Sequence, residues 1–329
     1  MPIQGAPAGA RQDEESWERG QAALARRLAD WRALPEIAPV LEAMKLFGEG
    51  AALDLCQPLA NLFTADGEHA PRFVESFVSA GLSCLRDNPL GQIPLSHGRR
   101  DAVPVLLLAD AARASLALAA YEGAALDALP APKTARFAPQ ETWIYVLSGT
   151  GTADLVLRRE GQGTREVLQT GAIDLQPGTA FYRYGPREAF QMRSVRGSLV
   201  LLRLQRQFAE PEPAREYSLP DGALVHQSAA HPHDTRLELA TSLLARMARK
   251  DAVGPMAAIA LGQSDKGASQ SLRWHALREV LTLDTAAGLD LLARLSSDPE
   301  DPLARPVASL HASLLESWPD LAKAASWRE

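Results

Sequence analysis

Between residues 142 and 204 a glycine- or proline-bearing turn signal interrupts the chain about every eight to twelve residues, and the stretches in between are too short for helices of ordinary length. These stretches are 142–147, 153–158, 165–169, 172–175, 179–184, 189–195 and 198–204, and they are rich in Val, Ile, Leu and Tyr. Their pattern predicts short antiparallel strands, which bury their apolar side chains only by packing as a sandwich or closing as a barrel. Gly149-Thr150-Gly151 and Gly161-Gln162-Gly163 read as hairpin turns inside this region.

Two runs upstream belong with it. Residues 103–109 and 113–121 are split by a small, polar turn at Asp110. Pro104 disfavours a helix interior, and Ser115, Ala117 and Ala119 alternate with Leu116 and Leu118, so a hairpin is expected. The all-β region then spans 92–207.

On either side the period changes to that of a helix. Trp17, Leu24, Leu28 and Trp31, then Val40, Met44 and Phe47, then Phe73 and Phe77 recur at three and four. Breaks at Leu34-Pro35, Gly48-Glu49-Gly50, Asp66-Gly67 and residues 88–91 divide 13–91 into three or four helices, preceded by a loose tail over 1–12. Residues 208–233, rich in Pro, Glu and Ala, read as a linker. Thr235-Arg-Leu-Glu238 has the form of a capping box, and helical periodicity fills 234–329. There Ser264-Asp265, followed by Trp274, Leu277 and Leu281, recurs 33 residues later as Ser297-Asp298, followed by Val307, Leu310 and Leu314. That spacing is similar to stacked helix pairs of the HEAT type, with a plain helical bundle as the alternative. The expected class is α+β, a central all-β barrel between an N-terminal helical cap and a C-terminal helical domain.

Several function classes drop out early. A net charge of −6, with no block of basic residues, lacks the footprint of a nucleic-acid binder. The most apolar stretch, 102–129, is broken by Pro104, Asp110, Arg113 and Glu122, so no membrane span is expected; with no leader-like start, the expected location is the cytoplasm. Cys56 and Cys84 have no Cys-x-x-Cys partner and read as buried free thiols. The 29 Arg against 5 Lys, with abundant Ala, reflect a bacterial type of composition. No nucleophile elbow, phosphate loop, dinucleotide fingerprint or His-Glu-x-x-His is present.

One segment carries a family likeness. Gly171-Ala-Ile-Asp174-Leu-Gln-Pro177-Gly178-Thr-Ala-Phe181 resembles the second cupin motif, and Trp143-Ile-Tyr-Val-Leu-Ser-Gly149 resembles the strand and glycine turn closing the first. The resemblance implies a barrel with a His-x-His pair and a glutamate from the first motif and a histidine from the second, all aimed at one metal ion. Here Thr142 stands at the glutamate position, Arg136 and Ala138 (or Ala135 and Phe137) at the His-x-His, and Phe181 at the last histidine. No cofactor is therefore expected in the barrel, since a catalytic metal commonly needs three protein ligands. For assembly, the resemblance implies a homodimer through edge strands.

Without a metal, the interior would offer a ligand site. Strand alternation places Arg183 on the same face as Phe181, and a buried guanidinium needs an anionic partner, from Glu141, Asp174 or an acidic ligand. Candidate ligand-binding residues are Arg183, Phe181, Tyr145, Trp143, Gln191 and Glu141, with Tyr182 and Tyr184 as further walls. A divalent transition metal would have to be held elsewhere, by His226, His231 and His233 beside Asp234 in a segment folded back over the mouth of the barrel, with His97 approaching that mouth; the alternatives there are a linker capping a helix and a turn histidine. The preferred reading is a non-catalytic or regulatory protein that binds a small molecule or a protein partner. A cupin-type enzyme on a small organic substrate is the second reading, and a structural subunit of a larger assembly the third.

Overall fold

The computed structural model describes residues 8–89, 91–100, 103–161, 165–210, 212–228, 231–263 and 268–318. They divide into two compact units, one of residues up to 210 together with 215–226, the other of 211–214 and 227 onward.

The first unit begins with helices α1 (Ala8–Arg32), α2 (Ala38–Glu49), α3 (Gln57–Ala60) and α4 (His69–Asp87). They end where the breaks were expected, α1 ahead of Leu34-Pro35 and α2 at Gly50, whose φ of 123° suits glycine. α1 itself starts at Ala8, within the stretch expected to be a loose tail. Trp31, Met44, Phe47, Leu59 and Phe73 fill the core of these helices, and Trp31 meets the edges of Phe73 and Phe77 at 5.5 and 5.2 Å.

Strands β1 (His97–Arg100), β2 (Val103–Ala111) and β3 (Ala114–Glu122) follow, then helix α5 (Gly123–Asp127), then β4 (Thr134–Phe137), β5 (Gln140–Arg159), β6 (Val167–Leu175), β7 (Ala180–Tyr184), β8 (Glu188–Gln207), β9 (Arg215–Ser218) and β10 (Leu224–Gln227). The expected 103–121 hairpin is present as β2 and β3, but Asp110 is not its turn: it pairs with Ser115 inside β2, and the chain turns two residues later at Ala112, with a φ of 49°. One sheet runs β1-β2-β3-β8-β5-β6 with β7 also on β5, and a smaller one runs β10-β9-β4. Every pairing in the larger sheet is antiparallel, as is that of β4 with β9. Among the described residues the larger ladder ends at β1 and β6, so its hydrogen bonding does not close into the ring that a barrel implies.

Gly149-Thr150-Gly151 is not a hairpin turn. β5 runs straight through it for 20 residues, and β8 likewise passes through Gly197 for 20. The two strands pair along their length, with register shifts between Val146 and Thr150, opposite Arg196 to Val200. Bulges bend a paired ribbon without ending it. Gly149 sits at φ 85°, and a Cβ there would lie 2.0 Å from the Ser198 carbonyl oxygen; one on Gly151 would lie 2.4 Å from that of Ser194. Glycine spacing at a close strand crossing therefore imitates glycine spacing at a turn. The same bend lets the first half of β5 pair with β7 and the second half with β6. The separate runs at 165–169 and 172–175 are one strand, β6, preceded by a single bridge from Arg165 to Ala223; Gln162 and Gly163 lie outside the described residues.

The expected linker is partly sheet. β9 and β10 fall inside 208–233, and β9 pairs with β4, placing Tyr217 against Phe137 at 5.8 Å. Gly222, at φ 66°, allows this return to lie on β6's approach, since a Cβ there would lie 1.8 Å from the Glu166 carbonyl oxygen. Proline and glutamate disguised two strands that are only four residues each.

The second unit holds α6 (Pro232–Arg246), α7 (Val253–Ala260), α8 (Gln270–Leu283), α9 (Thr285–Ser296) and α10 (Ala304–Ser317), packed through Met256, Leu277, Val280, Leu292 and Val307. Thr235 is not a cap: α6 starts three residues earlier with proline in its first turn, and the Thr235 hydroxyl donates to the His231 carbonyl. Asp234 is buried and accepts from the Ser269 backbone N–H at 3.3 Å. Ser264 and Asp265, the start of the sequence repeat, lie outside the described residues. No described helix is long and apolar enough to cross a membrane.

Candidate functional site

The first halves of β5, β7 and the end of β8 form a three-strand patch with two different faces. Alternation puts Thr142, Ile144 and Val146 on one face and Trp143 and Tyr145 on the other. On the latter, the helices cover the sheet: Tyr145, Leu202 and Leu204 share a core with Met44 and Phe47. On the former, here the inner face, Ile144, Val146, Leu199 and Leu201 pack with Phe181, Phe190 and Tyr121.

The inner face changes character along the strands. Nearest the bend stand Val146 and Leu201; the next row is Phe181, Ile144 and Arg203; the row beyond is Arg183, Thr142 and Gln205. Phe181 and Arg183 share this face, as alternation requires. Phe181 stacks at a tilt on Phe190, 5.7 Å between ring centres, and belongs to the apolar cluster.

Arg183 is only 9% exposed. Its Nη1 donates to the Glu188 carbonyl at 2.6 Å and its Nη2 to Thr142 Oγ1 at 3.4 Å, while its Nε has no hydrogen-bond partner among the described residues. Neither carboxylate expected as its counter-ion reaches it: Glu141 pairs with Arg206, and Asp174 is exposed on β6. The reason is the one-residue offset, which sends Glu141 to the opposite face from Thr142. Burial lowers the Arg183 pKa, with the Glu188 charge opposing and the Arg203 charge reinforcing the shift. A guanidinium nevertheless stays protonated. The Glu188 carboxylate accepts the Tyr184 backbone N–H at 2.8 Å.

The remaining candidates are dispersed. Trp143 lies edge-on to Phe47 at 5.4 Å and tilted on Tyr182 at 4.9 Å; the Tyr145 hydroxyl donates to the Gly67 carbonyl at 2.7 Å. Both belong to the helix–sheet contact. The Tyr182 hydroxyl donates to Glu141 Oε1 at 3.1 Å, and burial, followed by the charge and hydrogen bond of Glu141, pushes its pKa up to about 12. Tyr184, exposed, stacks on Phe208. Gln191 donates to the Thr134 carbonyl at 2.6 Å and ties β8 to β4, away from Arg183. Ala135 and Phe137, where a His-x-His was sought, are buried in the β4–β9 cluster.

His97 is exposed on β1, His226 exposed on β10, and His231 and His233 exposed at the start of α6. Among the described residues no three His, Cys, Asp or Glu side chains gather in a way that could hold a metal ion. Cys56 and Cys84 are buried free thiols, and burial raises the Cys56 pKa. In the second unit, Ser242 Oγ lies 3.0 Å from His275 Nε2 and donates to Glu279 Oε1 at 2.8 Å, but Glu279 approaches that same ring nitrogen, at 3.5 Å. A nucleophile triad needs the carboxylate on the other nitrogen, so this cluster is a clamp between α6 and α8.

Two arginines of β8 were missed. Arg203 follows from alternation with Leu201. Arg206 lies on the helix-covered face with Leu202 and Leu204: its Nη2 and Nε reach Glu141 Oε2 at 2.7 and 3.0 Å, its Nη1 reaches the Ala51 and Phe47 carbonyls at 2.6 and 3.3 Å, and its guanidinium stacks 4.2 Å over the Phe47 ring.

No protein-family model and no curated protein matches the chain. Solved structures do. It is similar to a cupin superfamily protein from Desulfitobacterium hafniense (14% identity, 34% of this chain and 83% of that one, TM-score 0.22). It is also similar to KdgF from Halomonas sp. (13%, 35% and 88%, 0.24) and to a mutant of Bacillus subtilis oxalate decarboxylase (17%, 38% and 30%, 0.25). These matches cover about a third of the chain.

Proposed function

We propose that this is a non-catalytic binding protein whose cupin-like β-module holds a small anionic molecule, through a carboxylate or phosphate group, against Arg183 and Arg203. The observation that carries the reading is Arg183, a nine-tenths buried cation with an unpartnered Nε and, among the described residues, no carboxylate bonded to it. Buried charges are normally paired, and an unsatisfied buried donor points to a missing partner. Arg203, one row away, adds positive potential to the same face. An anion complements two guanidiniums with planar, bidentate geometry, whereas a divalent cation would be repelled there.

The residue types support the same division. Thr142, fully buried, and Phe181, packed on Phe190, occupy positions where the cupin resemblance calls for a carboxylate and an imidazole. Elemental analysis of protein purified without chelators should therefore give well under one equivalent of iron, manganese, zinc or nickel. One full equivalent of any of them would contradict the reading and favour the metal-dependent enzyme.

A further inference from the structure

The second unit contains a groove of about 430 Å3 between α8, α9 and α10, lined by Trp274, Arg278, Leu281, Thr285, Leu289, Leu310 and Leu314. Helical spacing produces it. Trp274, Arg278 and Leu281 recur on one side of α8, and Leu310 and Leu314 are one turn apart on α10. Leu289 forms a buried floor on α9. The floor is close because Gly288 brings α9 onto α8: a Cβ at Gly288 would lie 2.7 Å from the Leu281 Cα.

Among these lining residues Arg278 is the single charge. It is exposed and makes no ion pair or hydrogen bond through its guanidinium among the described residues. A free cation at the rim of an apolar trough complements a molecule with one anionic end and a hydrocarbon body. Size favours a small ligand over a protein: the volume falls in the range of small-molecule clefts, about 300–1,000 Å3, while a stable protein interface takes about 20–30 residues a side. We propose that this groove binds a free long-chain carboxylate, with its alkyl chain along Leu281, Leu289, Leu310 and Leu314 and its head group on Arg278.

Calorimetric titration of the full chain with dodecanoate, kept below its micelle concentration, tests this, with dodecanol as the neutral probe. Saturable binding at one site is expected, accompanied by a change in tryptophan emission from Trp274. The surface variant Arg278→Gln should bind dodecanoate about fivefold more weakly and dodecanol unchanged, because only the exposed ion pair is lost. Leu314→Glu should weaken dodecanoate more than about tenfold by placing like charge on the apolar wall. Failure of dodecanoate to saturate, or equal affinity in the unaltered chain and both variants, would overturn the proposal.

Discussion

Replacing Gly149 by valine should cost about 4 kcal/mol of stability, or prevent folding of the first unit, because it adds a positive-φ penalty to a backbone clash. The valine Cβ would lie 2.0 Å from the Ser198 carbonyl oxygen and 2.8 Å from the Leu199 Cα, and both belong to the paired strand rather than to a flexible side chain. Relief requires β5 and β8 to separate at their shared bend, where Val146, Leu199 and Leu201 are packed. Urea denaturation followed by circular dichroism measures the loss as a fall in midpoint. Gly171→Val on β6, where an added Cβ meets nothing within 4 Å, is the control and should change stability by less than about 1 kcal/mol.

Arg206→Met should cost about 3 kcal/mol, the lower end for breaking a buried ion pair, since the arginine and Glu141 keep 15% and 21% of their side chains exposed. Methionine retains the packing over Phe47 but leaves the Glu141 carboxylate without its counter-ion and frees the carbonyls of Phe47, in the last turn of α2, and of Ala51, just past it. The helical cap should loosen before the sheet does. Hydrogen exchange should therefore show faster exchange in α2 at denaturant concentrations where β3 and β8 are still protected. Uniform loss across both would mean that Arg206 does not link cap to sheet. Arg206→Met with Glu141→Gln should recover part of the loss, because the uncompensated charge is then gone.

Helix breaks and the 103–121 hairpin were legible because each depends on local chemistry: Leu34-Pro35 and Gly50 close α1 and α2, and Asp66-Gly67 make the turn that precedes α4. Strand existence was legible too. Strand continuity was not, since Gly149-Thr150-Gly151 has the composition of a turn and is used to let two backbones cross closely. β9 and β10 were hidden for the opposite reason, being four residues each in a proline- and glutamate-rich stretch: β9 is recruited by β4, about 80 residues earlier, and β10 then pairs with β9. At the site, alternation correctly joined Phe181 to Arg183. Partner choice was beyond it, because Glu141 faces the helices and its arginine is contributed by β8, 65 residues away. Long-range pairing of this kind leaves no local sequence signal.

The measurement that bears most directly on the anion reading is the thermal midpoint of the unaltered chain and of Arg183→Gln. Each would be measured in rising citrate or phosphate and in sodium chloride of matched ionic strength. A ligand that binds only the folded state stabilises it by about 2.7 kcal/mol at a hundredfold excess over its dissociation constant. The unaltered chain should gain stability from at least one of these anions beyond the chloride effect, and Arg183→Gln should lose that gain while remaining folded. Identical responses of the two chains to both anions would contradict an anion site at Arg183.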